Sequence, residues 1–362
     1  MKILSIVGAR PEFVQAKPLS QEIRKKHEEV LVHTGQHYDY RMSQTFFDEL
    51  DIPSPDYNLE IGSGSHAYQT ANIMLRLEEV LKKELPDLVI VRGDTNSTVA
   101  SALTVSKMGI PLAHIEAGER SYNREMPEEI NRIVSDHLAD IHFCASREAV
   151  NRLSNEGIKD SVYWVGDVML DVVKKSLSIA EQKSSIIANL QLIPNEYSLL
   201  TIHRPATTES PKRMSDIIYA LNSIHETIVF PVHPRTKIVL DQLDIPLSSH
   251  IMAIDPVGYF DMLVLEKEAR LIATDSGGVQ REAYFLGIPC LTLREETEWT
   301  ETVKAGWNLV VGTESERIIN NWFQFSPNGE RPPFFGDGTA AQRIVNIIEK
   351  QVTPVSLEQK HN

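Results

Sequence analysis

At 362 residues the chain has room for two domains of ordinary size. Its composition, 42% hydrophobic and 24% charged, is that of a soluble globular protein. The formal net charge of −14 argues against a nucleic-acid partner, which is held by surplus Lys and Arg; a nucleotide ligand needs only a few local donors and stays open.

Read from the first residue, the chain enters a strand-like run, KILSIV (2–7), with no signal-peptide pattern before it. The turn that follows carries one glycine, Gly8, where a dinucleotide fingerprint carries three. Further β-branched runs come at EVLVHT (29–34), DLVIVRG (87–93), PLAHIE (111–116), ADIHFC (139–144) and SVYWVG (161–166). The second half adds YSLLTI (197–202), TIVFPV (227–232), HIMAID (250–255), RLIAT (270–274) and PCLTL (289–293). Helix-period segments separate most of these runs. The alternation predicts βαβ units with parallel sheets covered on both faces. A polar helical stretch between Gly166 and Lys183 marks a boundary. The expected division is 1–170, 171–340 and a last helix with its tail, 341–362, returning toward the first domain. No stretch reaches transmembrane length. Cys144 and Cys290 lie in or beside strands and read as buried thiols of a reducing cytoplasm.

Ligands of open parallel sheets sit beyond the carboxyl ends of the strands, so the polar residues that directly follow strands are the candidates. Asp94 follows DLVIVRG and Glu116 follows PLAHI. A right-handed crossover between these strands sends both carboxylates out on one sheet edge. Asp94 serves equally as an N-cap for the next helix. In MPEEINR, Pro127 opens a helix and Glu128 stands four residues before Arg132; that spacing by itself favours a helix-surface ion pair over a catalytic role. In the second half, Asp275, Ser276, Gly277 and Gly278 form a small-residue turn between a strand and a helix. Such a turn suits a diphosphate, since glycine amides and the helix dipole both favour an anion, but it is also an ordinary βα turn. His203–Arg204 and His233–Arg235 follow strands at corresponding places. No HExxH and no Cys–His zinc spacing occurs, so no catalytic metal is expected.

Taken in order, GARPEF, TGQHYD, PDYNL, GDTNST, HIEAGERS, MPEEINR, HR, HPRT, DSGGVQREA and REETEWTE resemble the motifs of the non-hydrolysing UDP-N-acetylglucosamine 2-epimerases, from Lys2 to about Ile348. The resemblance implies a GT-B-like α/β fold, two Rossmann-like domains with parallel sheets facing a central cleft. It implies C2 epimerisation of UDP-N-acetylglucosamine to UDP-N-acetylmannosamine. UDP is eliminated, a 2-acetamidoglucal forms, and UDP adds back, with no cofactor. Asp94, Glu116 and Glu128 then match the acid–base carboxylates, Arg132 an active-site arginine, and His203 a diphosphate contact. Ser276, Gly277 and Gly278 match the diphosphate loop, Glu282 the ribose ligand, Arg10 a diphosphate-side arginine, and Tyr259 and Met262 the uracil site. The family further suggests a cytoplasmic homodimer that serves cell-envelope or capsule polysaccharide synthesis.

Several positions depart from the family pattern. Gln15 stands where many members have lysine, and Glu119 where leucine is commoner. GQHYDY keeps Gln36 and His37 but lacks the second glutamine of a loop tied to regulation by a second UDP-sugar. GDVM, MPEEINR, DPVGY and TEW are shared with a subgroup that epimerises UDP-2,3-diacetamido-2,3-dideoxy-glucuronic acid. Glu119 would repel that sugar's carboxylate unless a cation offsets it, which favours the neutral sugar. A hydrolysing epimerase or a GT-B glycosyltransferase is the remaining alternative.

Overall fold

The computed structural model of the protein describes residues 1–35, 52–327 and 329–353. The side chain of Arg10, the Gln36–His37 pair and the tail from 354 lie outside the described residues. The chain divides into two compact units, one of residues 1–174 and 333–362, the other of residues 175–332.

In the first unit, described strands β1 (Lys2–Val7), β2 (Glu28–His33), β3 (Tyr57–Asn58), β4 (Leu88–Arg92), β5 (Leu112–Ile115), β6 (Ile141–Cys144) and β7 (Val162–Trp164) form one sheet in the order β3-β2-β1-β4-β5-β6-β7. Every pairing is parallel. Residues alternate between its two faces, as a strand requires. Ile3, Leu88 and Ile90 pack with Leu19 and Ile23 on one side, while Leu4, Val89 and Val91 pack with Ile73 and Leu77 on the other. The last helix, Ala340–Gln351, sits in this unit: its first amides, Ala340 and Ala341, donate to the buried Asp171 carboxylate at 3.0 and 2.8 Å, and its Ile344 and Ile348 join the Leu19–Ile23 cluster.

In the second unit, β8 (Tyr197–Thr201), β9 (Thr227–Pro231), β10 (Ile251–Ile254), β11 (Leu271–Thr274), β12 (Cys290–Thr292) and β13 (Asn308–Val310) form a second parallel sheet in the order β10-β9-β8-β11-β12-β13. The expected two-sheet α/β architecture is present. The strand order reverses between β1 and β4 in the first sheet and between β8 and β11 in the second. At such a switch point the flanking loops part, and a crevice opens beyond the strand ends.

Candidate active site

The opening loop of the first unit shows why one glycine suffices. Gly8 faces Ser97 and Thr34 so closely that an added Cβ would stand 2.0 Å from Ser97 Oγ. Its amide and that of Ala9 donate to Glu12 Oε2 at 2.5 and 3.2 Å, while Thr95 Oγ1 donates to Glu12 Oε1 at 2.8 Å. The amides that a dinucleotide loop would offer to phosphate are therefore already taken by an internal carboxylate. Burial pushes the Glu12 carboxyl up to about 7, even against those three hydrogen bonds.

Beyond the neighbouring strand ends stand the two carboxylates. Asp94 Oδ2 accepts from Arg132 Nη2 at 2.6 Å, and the Asp94 carbonyl accepts from Asn131 Nδ2 at 2.8 Å. Glu116 Oε2 accepts from the buried Gln15 Nε2 at 2.9 Å. A Cβ placed on Gly93 would lie 3.6 Å from Glu116 Oε2, so the Glu116 carboxylate rests over the residue before Asp94. Glu116 itself has φ +66°, a left-handed conformation that a non-glycine side chain enters only when its surroundings hold it there. Both carboxylates have a donor of their own. Asp94 keeps 30% of its side chain accessible.

Glu128 differs from the spacing expectation. It makes no ion pair or hydrogen bond among the described residues, and Arg132 is directed to Asp94 and, at 3.0 Å, to Glu129. Glu129 was not among the expected site residues, yet it is the more deeply buried of the two and fixes the adjacent loop. It accepts from the amides of Ser121 and Tyr122 and from the Ser121 hydroxyl. Burial raises the Glu129 carboxyl, but those donors and Arg132 outweigh it and hold it below the usual range. Glu128 is left half-buried on the first turn of the helix Pro127–Leu138.

In the second unit, Ser276 caps the helix Gly277–Leu286 through a hydrogen bond from the Val279 amide. Gly277 and Gly278 supply first-turn amides, which a helix leaves without an intrahelical acceptor. The two glycines have different surroundings. A Cβ on Gly277 would meet Glu298 Oε1 at 2.5 Å, whereas one on Gly278 would meet only Ser276 Oγ, at 3.7 Å. His203 follows β8 across the switch point. Its amide and that of Arg204 donate to the fully buried Asp275 carboxylate at 3.0 to 3.2 Å, and its Nδ1 lies 3.4 Å from Asp275 Oδ1. The His203 and His233 rings are 5.9 Å apart. Glu282 lies half-buried on the same helix as the glycines. Tyr259 begins the helix Tyr259–Lys267 and is buried, and Met262, one turn on, packs against the core cluster of Ile272 and Ala283. Among the described residues no group of three or more His, Cys, Asp or Glu is placed to hold a metal ion, and no helix is long and apolar enough to cross a membrane.

Comparison with known proteins decides the family. The family model described as UDP-N-acetylglucosamine 2-epimerase matches residues 21–349. The chain belongs to this epimerase family. It is 48% identical over 354 residues to a UDP-N-acetylglucosamine 2-epimerase homolog of Methanococcus maripaludis, covering 96% of this chain and 99% of the relative. It is 43% identical over 363 residues to the UDP-2,3-diacetamido-2,3-dideoxy-D-glucuronate 2-epimerase of Pseudomonas aeruginosa, covering 97% and 100%. The crystal structure of the Methanocaldococcus jannaschii UDP-GlcNAc 2-epimerase in complex with UDP-GlcNAc and UDP is similar with a TM-score of 0.90 at 40% identity, covering 97% of this chain and 100% of that one. For a member of this family the reaction class is isomerisation.

One expectation about the substrate loses its footing. Glu119, read from the sequence as a charge that would repel an acidic sugar, is only 3% exposed, and its Oε2 lies 2.7 Å from Arg152 Nη1. The cation that would offset it is present on the helix Arg147–Asn155, so the repulsion no longer argues for the neutral sugar.

Proposed function

We propose that the protein epimerises UDP-N-acetylglucosamine at C2, without hydrolysis, by elimination and re-addition of UDP. The observation that carries this reading is the pair Asp94 and Glu116 at adjacent parallel strand ends, each with its own donor, Arg132 at 2.6 Å and Gln15 at 2.9 Å. In this reading one carboxylate takes the C2 proton as the C1–O bond to UDP breaks, giving the C1=C2 double bond of a 2-acetamidoglucal. UDP adds back at C1 and a carboxylic acid returns a proton to the opposite face of C2. Glu128, which has no partner of its own among the described residues, is the third group able to carry a proton. The negative charge that grows on the leaving diphosphate calls for fixed donors, and the helix start at Ser276–Gly278 with His203 is suited to supply them. Arg10 is assigned to the same diphosphate, Glu282 to the ribose, and Tyr259 and Met262 to the uracil, on the resemblance.

A second reading, UDP-2,3-diacetamido-2,3-dideoxy-glucuronic acid as substrate, stays open because Arg152 offsets the Glu119 charge that would otherwise repel its carboxylate. Incubation with each sugar nucleotide in deuterated water, followed by NMR, separates the readings. Deuterium at C2 with UDP still attached, faster on UDP-N-acetylglucosamine, is the expected result. Free N-acetylmannosamine would identify a hydrolase, and exchange confined to the uronic acid would transfer the assignment to that sugar. The resemblance adds a homodimer, which light scattering would register as twice the chain mass.

A further inference from the structure

His114, in the middle of the carboxylate-bearing unit, is fully buried and touches none of the groups assigned to substrate. Its Nε2 lies 2.8 Å from the carbonyl oxygen of Gly93, and its Nδ1 lies 2.7 Å from Asp136 Oδ1. A peptide carbonyl only accepts, so Nε2 carries a proton. Asp136 Oδ2 already accepts from the Gly118 amide at 3.1 Å and from Arg120 Nη1 at 2.7 Å, an environment that keeps the carboxyl ionised. Nδ1 therefore carries a proton as well, and the ring is an imidazolium.

The two ring contacts and the backbone of His114 together reach all three carboxylate-bearing segments. Gly93 directly precedes Asp94. His114 lies two residues before Glu116, and Gly118, bonded to the same Asp136, lies two residues after it. Asp136 is one turn beyond Arg132 and two beyond Glu128 on the helix Pro127–Leu138. Glu116 sits in its left-handed conformation between these anchors. We propose that His114 is a positioning residue held as an imidazolium, which ties the Asp94 loop and the Glu116 loop to the helix of Glu128 and Arg132. A neutral imidazole has one N–H, so deprotonation would turn a lone pair on either the Gly93 carbonyl or Asp136 and release one tie.

The surrounding charges are arranged to keep the proton. Burial lowers His114, but the facing Asp136 carboxylate outweighs it and raises its affinity for the proton above the ordinary value. Arg120 opposes this, but its charge is shared with Glu156, which it binds through two hydrogen bonds at 2.8 and 2.7 Å. On β6, burial lowers His142 and raises Cys144, so both stay neutral beside the pair. Glu119 is matched by Arg152.

The catalytic sense of this proposal rests on the epimerase reading, whereas the protonation state does not, and the test separates them. In full-length protein labelled with [15N]histidine, assigned with His114→Gln, both ring nitrogens of His114 should be protonated from about pH 6 to pH 8, across the range where free histidine loses its charge. A singly protonated ring in that range overturns the proposal. Asp136→Asn removes the anion that holds the proton. In the deuterium-exchange assay it should cut kcat by about ten- to a hundred-fold with KM little changed, the scale of loss from misplaced reacting groups. It should also move the alkaline limb of the kcat–pH profile to lower pH, whereas an unmoved limb reduces His114 to packing and overturns the positioning role. Should wild-type protein exchange C2 on neither sugar, the epimerase reading falls while the nitrogen spectrum still decides His114.

Discussion

Replacing Asp275 by alanine should damage the stability of the second unit and, in the proposed reading, its hold on UDP. The carboxylate is 0% exposed and takes two consecutive backbone amides, His203 and Arg204, at 3.0 to 3.2 Å. Alanine leaves both N–H groups facing a void. Each orphaned donor costs about 1–3 kcal/mol, so the pair costs about 2–6 kcal/mol, out of a total stability of about 5–15 kcal/mol for a typical domain. Urea denaturation should show a lower midpoint with an unchanged slope. The exposed Asp255, changed to alanine in the same unit, should stay within about 0.5 kcal/mol of wild type. Calorimetry with UDP should show weaker binding for Asp275→Ala, because the His203 turn is no longer fixed. Equal midpoints for the two variants would refute the fastening role. A large stability loss with unchanged UDP affinity would show that the His203 turn does not hold the nucleotide.

The neighbouring glycines should behave unlike each other: Gly277→Ala forces a Cβ to within 2.5 Å of Glu298, itself held by Arg294 at 3.0 Å, and should cost about 1–3 kcal/mol, while Gly278→Ala should be nearly neutral for stability. Equal thermal shifts for the two would refute the packing argument. Glu119→Leu and Arg152→Leu should each destabilise by about 3–5 kcal/mol, because each strands a buried charge, and the double variant should lose much less than their sum; additive losses in a denaturation cycle would sink the pairing. Glu12 titrates at about 7 in the fold against 4.5 for the free carboxyl, so its contribution to stability is fully present below about pH 4.5 and is lost as pH rises through 7. The full difference is about 3 kcal/mol. Glu12→Gln should flatten that decline between about pH 5 and pH 8, and a parallel decline in both proteins would argue against the raised value.

Both sheets are legible in the sequence because central parallel strands, buried on both faces, are continuous apolar runs. β3 and β13 escape that reading. They have two and three residues with only partly buried patterns, and their pairing comes from β2 and β12 rather than from any pattern of their own. Strand-end logic likewise leads to Asp94, Glu116 and His203, since a residue's place after a strand is local information. Their partners are not local. Gln15 meets Glu116 across 101 residues, Arg132 meets Asp94 across 38, and Asp275 meets His203 across 72. Where a local partner was legible, at Glu128 and Arg132, helical spacing permitted a contact, but the arginine is drawn to two other carboxylates instead. Spacing states which pairs can meet; competition among all the acceptors in reach decides which do.

The same fastening device recurs at the switch point of each unit. In the first, Glu12 accepts the consecutive amides of Gly8 and Ala9 after β1 and the hydroxyl of Thr95 after β4. In the second, Asp275, after β11, accepts the consecutive amides of His203 and Arg204 after β8. Each buried carboxylate uses up backbone donors that an anion could otherwise take, and each sets the geometry of the two loops beside the crevice. What differs is the group left facing outward. The first unit carries Asp94 and Glu116 there, carboxylate acceptors; the second carries the helix start at Gly277 with His203, a set of donors. The elimination proposed for this protein, which takes a proton from one carbon and an anion from the next, calls on both kinds of group. Exchanging either fastener for its amide, Glu12→Gln or Asp275→Asn, alters the frame while keeping the proposed reacting groups present, which separates the cost of misplacing those groups from the cost of removing them.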